Sequence, residues 1–391
     1  MRIASGVVLG LVASMVLTPL AACGGGGGDG TSVFVVALRA ELLAAREGDG
    51  PWQTFTVGDA GHREFFINGP FTAVGVCEDF GGEVYVYSGG PEDAEEFWDV
   101  GCGADATVSV TLNNQGGGTV YVDIGLSTVS VTSSAVVQVP PGVTDVVMVD
   151  RTNHRVAVRR AVSVFAPTTI DFNLTTEGSN MVSRPLTGGT QTTSWFTTAA
   201  DVGAFLATDT GVAWTVPPSL AMGGDKHRGY AREVDSAQPR VRWRSAALDP
   251  VSTAPMALSL PAGLDTATFA WTTVPSINFT SAATWTDYTT LYGYQNDADY
   301  SPLWYFTRYG GAGGPANQIA IPELSSLPGW KASWNVAPSM PWNLYLDVSN
   351  QIGDDVFEGA GWDREANPPA VRAALEQREA RLAAFRSRTA N

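Results

Sequence analysis

Histidine is the first residue type to consider for catalysis or metal binding, because its side chain changes charge near neutral pH. The chain has three histidines, His62, His154 and His227, and no two of them have the spacing of metal ligands. Each stands beside turn-forming or charged residues, so we expect solvated histidines in loops. The sequence also lacks a nucleophile elbow, a phosphate-binding glycine loop and a dinucleotide fingerprint. It therefore predicts no catalytic residue, no metal site and no cofactor. The alternative is a hydrolase triad assembled from residues that are distant in sequence.

Cysteine is the second residue type with chemical potential, and the chain has three, Cys23, Cys77 and Cys102. In an exported protein the last two predict a disulfide. Its loop is short, so the bond would contribute roughly 3 kcal/mol of stability in the chain-entropy model. The alternatives are a metal pair or a reactive thiol, but neither cysteine has a histidine at ligand spacing.

Oxygen ligands form one cluster, Asn296-Asp297-Ala298-Asp299, in a predicted loop. Such clusters can hold Ca²⁺, which takes six to eight oxygens. The glycine and terminal glutamate of an EF-hand loop are missing, so a solvated turn is the alternative for Asp297 and Asp299.

Aromatic residues are concentrated in the second half of the chain, where ten of the 12 tryptophans lie between Trp195 and Trp362. Aromatic rings on loops can stack on sugars or anchor a protein partner. The candidate ligand-binding residues are Tyr300, Trp304, Trp330 and Trp334. The alternative is that these rings pack in a β core, and their solvent exposure distinguishes the two.

The N-terminus predicts export. Residues 1–22 have one charge, Arg2, followed by an apolar run and small residues, which is the layout of a signal peptide. The run is too short for a membrane span. Leu20-Ala21-Ala22-Cys23 resembles a bacterial lipobox, and this resemblance implies cleavage before Cys23 and acylation of that cysteine. The alternative is an ordinary signal peptide with an incidental cysteine.

The resemblance also implies a location in the bacterial cell envelope, with the membrane as a partner through the N-terminal lipid. The residue after the cysteine, Gly24, is not an aspartate, and in this the chain resembles lipoproteins that are sorted to the outer membrane. The formal net charge of −16 argues against nucleic acid, which requires a basic footprint. A glycan or a protein remains as a further partner.

Strand signals dominate the rest of the chain. Short apolar runs alternate with glycine- and proline-containing turns, and residues 83–87 alternate with period two. Ala, Leu, Glu and Arg after Pro368-Pro369 predict a C-terminal helix. The fold class is therefore all-β, with tandem β-sandwich modules, a larger loop-rich β domain and a C-terminal helix.

Composition sets the domain boundaries. Residues 179–189 are interpreted as a polar link, and 218–239 and 309–340 as long irregular segments. The predicted parts are a signal peptide (1–22), a flexible glycine-rich tether (23–31), a small β module with the disulfide (32–104), a β-sandwich module (105–178), a Trp-rich β domain (179–367) and the helix (368–391).

Two further resemblances concern the modules. Gly-Asp-Gly-Pro-Trp-Gln at 48–53, followed by Ala73-Val74-Gly75-Val76-Cys77, resembles an N-terminal module of poorly characterised bacterial lipoproteins. This implies a small β-sandwich and no activity. The strand spacing over 106–173 is similar in architecture to the carboxypeptidase-regulatory or transthyretin-like class, and architecture alone implies no function.

These observations predict a lipid-anchored cell-envelope protein with a structural or recognition role and no enzymatic activity. The alternative is a carbohydrate-binding or carbohydrate-acting surface lipoprotein, in which residues 285–342 supply an aromatic platform. A hydrolase with a cryptic site is the third hypothesis.

Overall fold

The computed structural model is dominated by β-strands, which confirms the predicted all-β fold of several packed sheets. Its described residues are 31–36, 40–55, 62–77, 83–90, 98–99, 107–125, 127–235, 240–271, 275–285, 288–294, 303–309, 317–335, 343–353 and 356–363. The predicted signal peptide and the C-terminal helix lie outside these residues, as does the tether except for its last residue.

The largest sheet has twelve strands, all antiparallel to their neighbours except for one parallel pair. In spatial order they are β18 (Gly203–Asp209), β17 (Gln191–Thr197), β20 (Lys226–Asp235), β21 (Arg240–Ala247), β29 (Val356–Asp363), β28 (Asn343–Gly353), β25 (Tyr288–Tyr294), β26 (Leu303–Tyr309), β6 (Glu83–Gly89), β5 (Phe71–Cys77), β2 (Leu42–Glu47) and β3 (Gln53–Phe55). The parallel pair is β26 with β6, so one sheet contains strands from both ends of the chain. The domain boundaries stay a prediction.

Residues 108–180 form two sheets that face each other around a Val-rich core. The five-stranded sheet has the order β10 (Ser127–Val131), β9 (Val120–Ile124), β12 (Val143–Asp150), β13 (Arg155–Ser163) and β15 (Ser179–Asn180). The three-stranded sheet has the order β11 (Ser134–Val139), β8 (Val108–Asn114) and β14 (Thr168–Phe172). A short helix, α1 (Leu174–Glu177), follows β14, and Asn173 caps it by accepting a hydrogen bond from the Thr175 amide.

Three smaller sheets complete the described structure. They are β19 (Val212–Thr215), β16 (Val182–Thr187) and β22 (Met256–Ala257); β23 (Leu264–Trp271), β24 (Pro275–Ser281) and β27 (Asn317–Ala320); and β4 (His62–Ile67), β1 (Thr31–Val36) and β7 (Trp98–Asp99). A 3₁₀ helix spans Ala332–Trp334.

Strand β12 joins the sandwich to the large sheet because it is buried on both faces. Val146 and Met148 point into the sandwich core, whereas Val147 and Val149 pack with Phe196 and other side chains from β17 to β19. The sequence records this as an uninterrupted apolar run, which is typical of a strand covered on both sides. The two parts of the chain therefore share a core.

Three sequence interpretations need correction. The predicted polar link at 179–189 contains β15 and β16, and Leu186 in β16 is fully buried. The segment 218–239, predicted to be irregular, contains the whole of the ten-residue strand β20. The segment 309–340 contains β27 and the 3₁₀ helix. The polarity and glycine content of these segments argue against strands. The strands form because partner strands distant in sequence pair with them.

Candidate functional site

Three of the four aromatic candidates meet in one place, which we call the tryptophan cluster (Trp304, Trp330 and Trp334). Trp304 is 4% and Trp334 2% exposed, and both belong to the main hydrophobic core. Trp330 is half-buried, and its ring centroid lies 5.8 Å from that of Trp304 and 5.3 Å from that of Trp334, both edge-to-face. Trp304 and Trp334 have therefore little surface left for a ligand. Tyr300 lies outside the described residues.

Hydrogen bonds and a lysine side chain hold the tryptophan cluster in place. Trp304 Nε1 donates to the Trp334 carbonyl at 2.9 Å, and Trp330 Nε1 donates to Asn335 Oδ1 at 2.9 Å. The Lys331 ammonium lies 5.1 Å from the Trp334 ring and 2.8 Å from Glu41 Oε1. These contacts help to hold the 3₁₀ helix, and the indole N–H groups of Trp304 and Trp330 already have internal acceptors.

The cysteine sites are only partly within the described residues. Cys77 is 1% exposed at the end of β5. Its predicted partner Cys102 and the predicted lipidation site Cys23 lie outside, so both assignments stay predictions. The same applies to the calcium alternative at Asp297 and Asp299.

The prediction of solvated loop histidines is wrong for two of the three. His62 is in strand β4 and His227 is in β20, whereas His154 does lie in the turn between β12 and β13. His154 has a left-handed backbone (φ 50°) and stacks on Trp214, with ring centroids 3.8 Å apart and planes 9° from parallel.

His227 is 4% exposed beside Phe196, and its Nε2 has no hydrogen-bond partner among the described residues. Burial lowers the pKa of His227 to about 4, against a smaller opposing effect of Asp225 and Asp249. The imidazole is therefore uncharged at neutral pH and behaves as part of the core.

A buried ion-pair network, formed by Asp145, Arg160 and Asp225, connects the sandwich to the loop before β20. Arg160 Nη1 lies 2.9 Å from Asp145 Oδ2, and Arg160 Nη2 lies 2.5 Å from Asp225 Oδ2. Asp225 also accepts hydrogen bonds from the backbone amides of Ala199 and Met222. The network thus satisfies a carboxylate whose side chain is only 1% exposed.

The protonation states of this network follow from its geometry. Burial alone would raise the pKa of Asp145, but hydrogen bonds from the Ala161 amide, Arg160 and Thr198 outweigh it, and the net pKa is lowered. Burial would lower the pKa of Arg160, but its two carboxylate partners raise it overall. Asp145 and Arg160 are therefore charged at neutral pH, and the network holds two parts of the fold together.

A second aromatic region lies on the solvent side of the large sheet. We call it the aromatic–arginine face; its members are Trp195, Phe205, Arg228, Tyr230, Arg232 and Trp243, and all are partly exposed. Strand β17 alternates strictly between buried and exposed positions, and β20 does so from Lys226 to Arg232. The opposite face of β20 is closely packed, because a Cβ on Gly229 would lie 2.9 Å from Leu186.

Register places these side chains in a diagonal row. Trp195 lies opposite Phe205 on one side and Arg228 on the other, and Arg232 lies opposite Trp243. The Trp195 and Phe205 ring centroids are 5.2 Å apart, and those of Tyr230 and Trp243 are 6.0 Å apart. Diagonal neighbours on a sheet are close enough for aromatic side chains to interact.

The row continues across the boundary to the sandwich through Arg151. Its guanidinium lies 3.5 Å from the Tyr121 ring centroid and 4.2 Å from that of Phe205, and Nε donates to the Phe205 carbonyl at 3.3 Å. Burial lowers the pKa of Arg151, partly offset by Asp123 and Tyr121. Arg151 thus caps an edge-strand carbonyl and extends the aromatic row into the second module.

Sequence reasoning missed this face because its central members, Arg228, Tyr230 and Arg232, lie in the segment 218–239, which was interpreted as irregular. One signal was present: between positions 226 and 232, the large polar or aromatic side chains of Lys226, Arg228, Tyr230 and Arg232 alternate with small or neutral ones. Period-two alternation of this kind predicts a strand with one wet face.

In comparisons with known proteins, no family model and no curated protein matches the chain. Within the described residues, no group of three or more His, Cys, Asp or Glu side chains could hold a metal ion. No helix in the same part of the chain is long and apolar enough to cross a membrane.

Proposed function

We propose that this chain is a lipid-anchored protein of the bacterial cell envelope, placed in the outer membrane, with a non-enzymatic recognition role. The observation that carries the proposal is Leu20-Ala21-Ala22-Cys23 at the end of a signal-peptide pattern. Acylation would anchor the chain firmly, because each buried methylene contributes about 0.8 kcal/mol. The glycines that follow would form a short flexible leash.

The folded body supports a recognition role more than a role as a flexible spacer. The shared core around β12 and the Asp145–Arg160–Asp225 network hold the sandwich against the large sheet. A rigid body loses little conformational freedom when it binds. The solvent-facing aromatic–arginine face is a surface on which such recognition could occur.

We also propose that Cys77 and Cys102 form a disulfide bond in the exported protein. Its support is the paired cysteines and the burial of Cys77 at the end of a core strand. Export to an oxidising compartment favours such a bond.

Membrane fractionation tests the anchor. Wild-type protein should sediment with membranes and stay there through a high-salt wash, whereas Cys23→Ser should be released or remain unprocessed. A second variant, Gly24→Asp, keeps the acylated cysteine and should move the protein from the outer to the inner membrane fraction. If Cys23→Ser still sediments after the wash with its signal peptide removed, the anchor is wrong.

The second candidate function is carbohydrate binding. The observation that favours it is the row of partly exposed rings on the aromatic–arginine face, since aromatic faces are suited to stacking on sugar rings. The tryptophan cluster contributes at most the half-buried Trp330 to such a site.

A further inference from the structure

The main hydrophobic core ends in a row of polar side chains on the large sheet. Five core residues on adjacent strands lie opposite one another in register: Ala44, Val74, Val86, Phe306 and Leu291. Two residues further toward one end of these strands, each strand has a polar residue on the same face. These five residues form what we call the arginine–hydroxyl row: Arg46 (β2), Thr72 (β5), Ser88 (β6), Arg308 (β26) and Thr289 (β25).

The arginine–hydroxyl row lies where the core opens to solvent. Arg46, Thr72 and Ser88 are partly exposed, and so is Arg308, whereas Thr289 is fully buried. Residues directly opposite each other on neighbouring strands have Cβ atoms about 5 Å apart. A small ligand that enters from solvent can therefore contact several members of the row at once.

Arg46 is a cation to which the described residues supply no acceptor. Its guanidinium stacks on Trp52, with Cζ 4.5 Å from the ring centroid, and its Nε is buried without a hydrogen-bond partner. No ion pair of Arg46 is found in the described part of the chain. The next residue, Glu47, lies beside Gly69 instead, where a Cβ would be 3.1 Å from Glu47 Oε1. A half-buried cation without an acceptor loses hydration without compensation, so the position favours an anion.

Two further polar groups near the row lack hydrogen-bond partners among the described residues. They are the Trp52 indole N–H, which packs at the edge of the core beside Arg46, and the Thr289 hydroxyl. Arg308 is different, because its Nη1 already lies 3.5 Å from the Gln318 carbonyl oxygen. Arg308 therefore adds positive charge to the row, but the requirement for an acceptor rests on Arg46.

The composition of the row indicates which anion it suits. Guanidinium and hydroxyl groups can all donate hydrogen bonds, and no member of the row is acidic. Since Arg46, Thr72 and Ser88 lie on three different strands, they approach a ligand from different directions. A tetrahedral oxyanion offers acceptors in several directions, whereas a carboxylate offers two oxygens in one plane. The planar fork of arginine also matches phosphate oxygens in a bidentate geometry.

We propose that the arginine–hydroxyl row binds a phosphate group. Arg46 supplies the charge-assisted hydrogen bonds, and the Thr72 and Ser88 hydroxyls supply neutral ones. This site goes beyond the recognition role proposed above, and it does not depend on the lipid anchor.

Two sources of phosphate fit the position of the row, a free phosphate and a lipid headgroup. The headgroup is within reach because the row is close to the start of the fold: Thr31 begins β1 and lies opposite Ile67, and Thr72 follows Ile67 by five residues. The proposed tether (23–31) spans at most roughly 30 Å when fully extended.

The test is a ³¹P NMR titration of the full lipidated chain in non-ionic detergent. One arm uses inorganic phosphate, and the other uses glycerophosphoethanolamine, which is a phosphodiester headgroup without acyl chains. The protein should broaden the resonance of at least one probe, and added salt should weaken the effect through screening. The probe that binds more tightly identifies the source. Acetate at equal concentration should displace neither probe.

Two variants address the charged and the neutral donors of the row. Arg46→Gln should weaken binding of the preferred probe by about tenfold or more. The double variant Thr72→Val/Ser88→Ala should weaken it less, and it keeps the proposal testable if Arg46→Gln folds poorly. Arg159→Gln is the matched arginine control and Thr193→Val the matched hydroxyl control, and both should bind as the wild type does.

Several results would overturn the proposal: no broadening of either probe, equal displacement by acetate, or unchanged binding in both row variants. An equal loss of binding in Arg159→Gln and Arg46→Gln would do the same. The titration uses purified protein, so its outcome is independent of the membrane fractionation that tests the anchor.

Discussion

The tryptophan cluster and the aromatic–arginine face are both rich in aromatic rings but have opposite relations to solvent. Trp304 and Trp334 are almost fully buried, whereas Trp195, Tyr230 and Trp243 are partly exposed. The difference arises from position in the fold: Trp304 on β26 and Trp334 in the 3₁₀ helix pack into the main core, and the second set occupies the outward positions of alternating strands. Aromatic density in a sequence therefore does not show which rings face solvent, whereas the position of each ring in the packed fold does.

The largest effect we expect is in the tryptophan cluster, the buried region of the two. Trp334→Ala should lower the free energy of unfolding by about 3–5 kcal/mol, because it opens a large cavity in the core. Urea denaturation of the purified protein measures it. A loss below about 1 kcal/mol would show that the tryptophan cluster is not the packed core described above.

The proposed Cys77–Cys102 disulfide also concerns a buried position, since Cys77 is 1% exposed at the end of β5. Cys102→Ser should lower the free energy of unfolding by roughly 3 kcal/mol, through the greater freedom of the unfolded chain. Reduction of the wild type should produce the same loss. Full alkylation of both cysteines in the unfolded, unreduced protein would rule out the bond.

The third prediction compares the two faces of β20, where His227 points inward and Arg228 outward. The unfolded state takes up a proton near pH 6.5, but the folded state does so only near pH 4. The free energy of unfolding should therefore fall as pH drops from about 6.5 to about 4, by at most about 3.5 kcal/mol at roughly 1.4 kcal/mol per pKa unit.

His227→Phe should remove this part of the pH dependence, as measured by urea denaturation across the same range. Asp145 has a lowered pKa, so its stabilising charge is lost only as pH falls further through that value. An identical slope between pH 6.5 and 4 in wild type and His227→Phe would contradict the burial of this histidine.

The smallest effect should be on the aromatic–arginine face, the exposed region of the two. Trp243→Ala removes a partly exposed ring and its contact with Tyr230, so it should lower the free energy of unfolding by only about 1 kcal/mol. The same urea series compares it with Trp334→Ala. Equal losses in the two variants would mean that the two aromatic regions do not differ as we describe.

Much of the fold was readable from local patterns. The all-β class follows from short apolar runs divided by turns, and residues 83–87 lie in strand β6 as predicted. Their alternation predicts one buried and one wet face, but this is wrong, because Glu83 to Val86 are all buried. Strand β20 was missed because its arginines, histidine and glycine disfavour a strand locally. Its pairing with β17 and β21, and the packing of Leu186 against Gly229, supply the missing stabilisation.

The candidate site was less predictable than the fold. Sequence identified Trp304, Trp330 and Trp334 from their abundance, but abundance carries no information about which side of a sheet a ring occupies. The histidines show the same limit: His227 has charged neighbours in sequence, yet its strand position buries it beside Phe196.

The sequence by itself determined the acidic charge and the strand-rich class, and it predicts the export signal at Leu20–Cys23, because each depends on residue type and local order. Only the tertiary structure decided that a strand from residues 83–89 pairs with one from 303–309, that β12 is covered on both faces, and which aromatic rings meet solvent. These features depend on contacts between residues far apart in the chain, since burial is a property of the packed sheets and not of the segment that supplies the side chain.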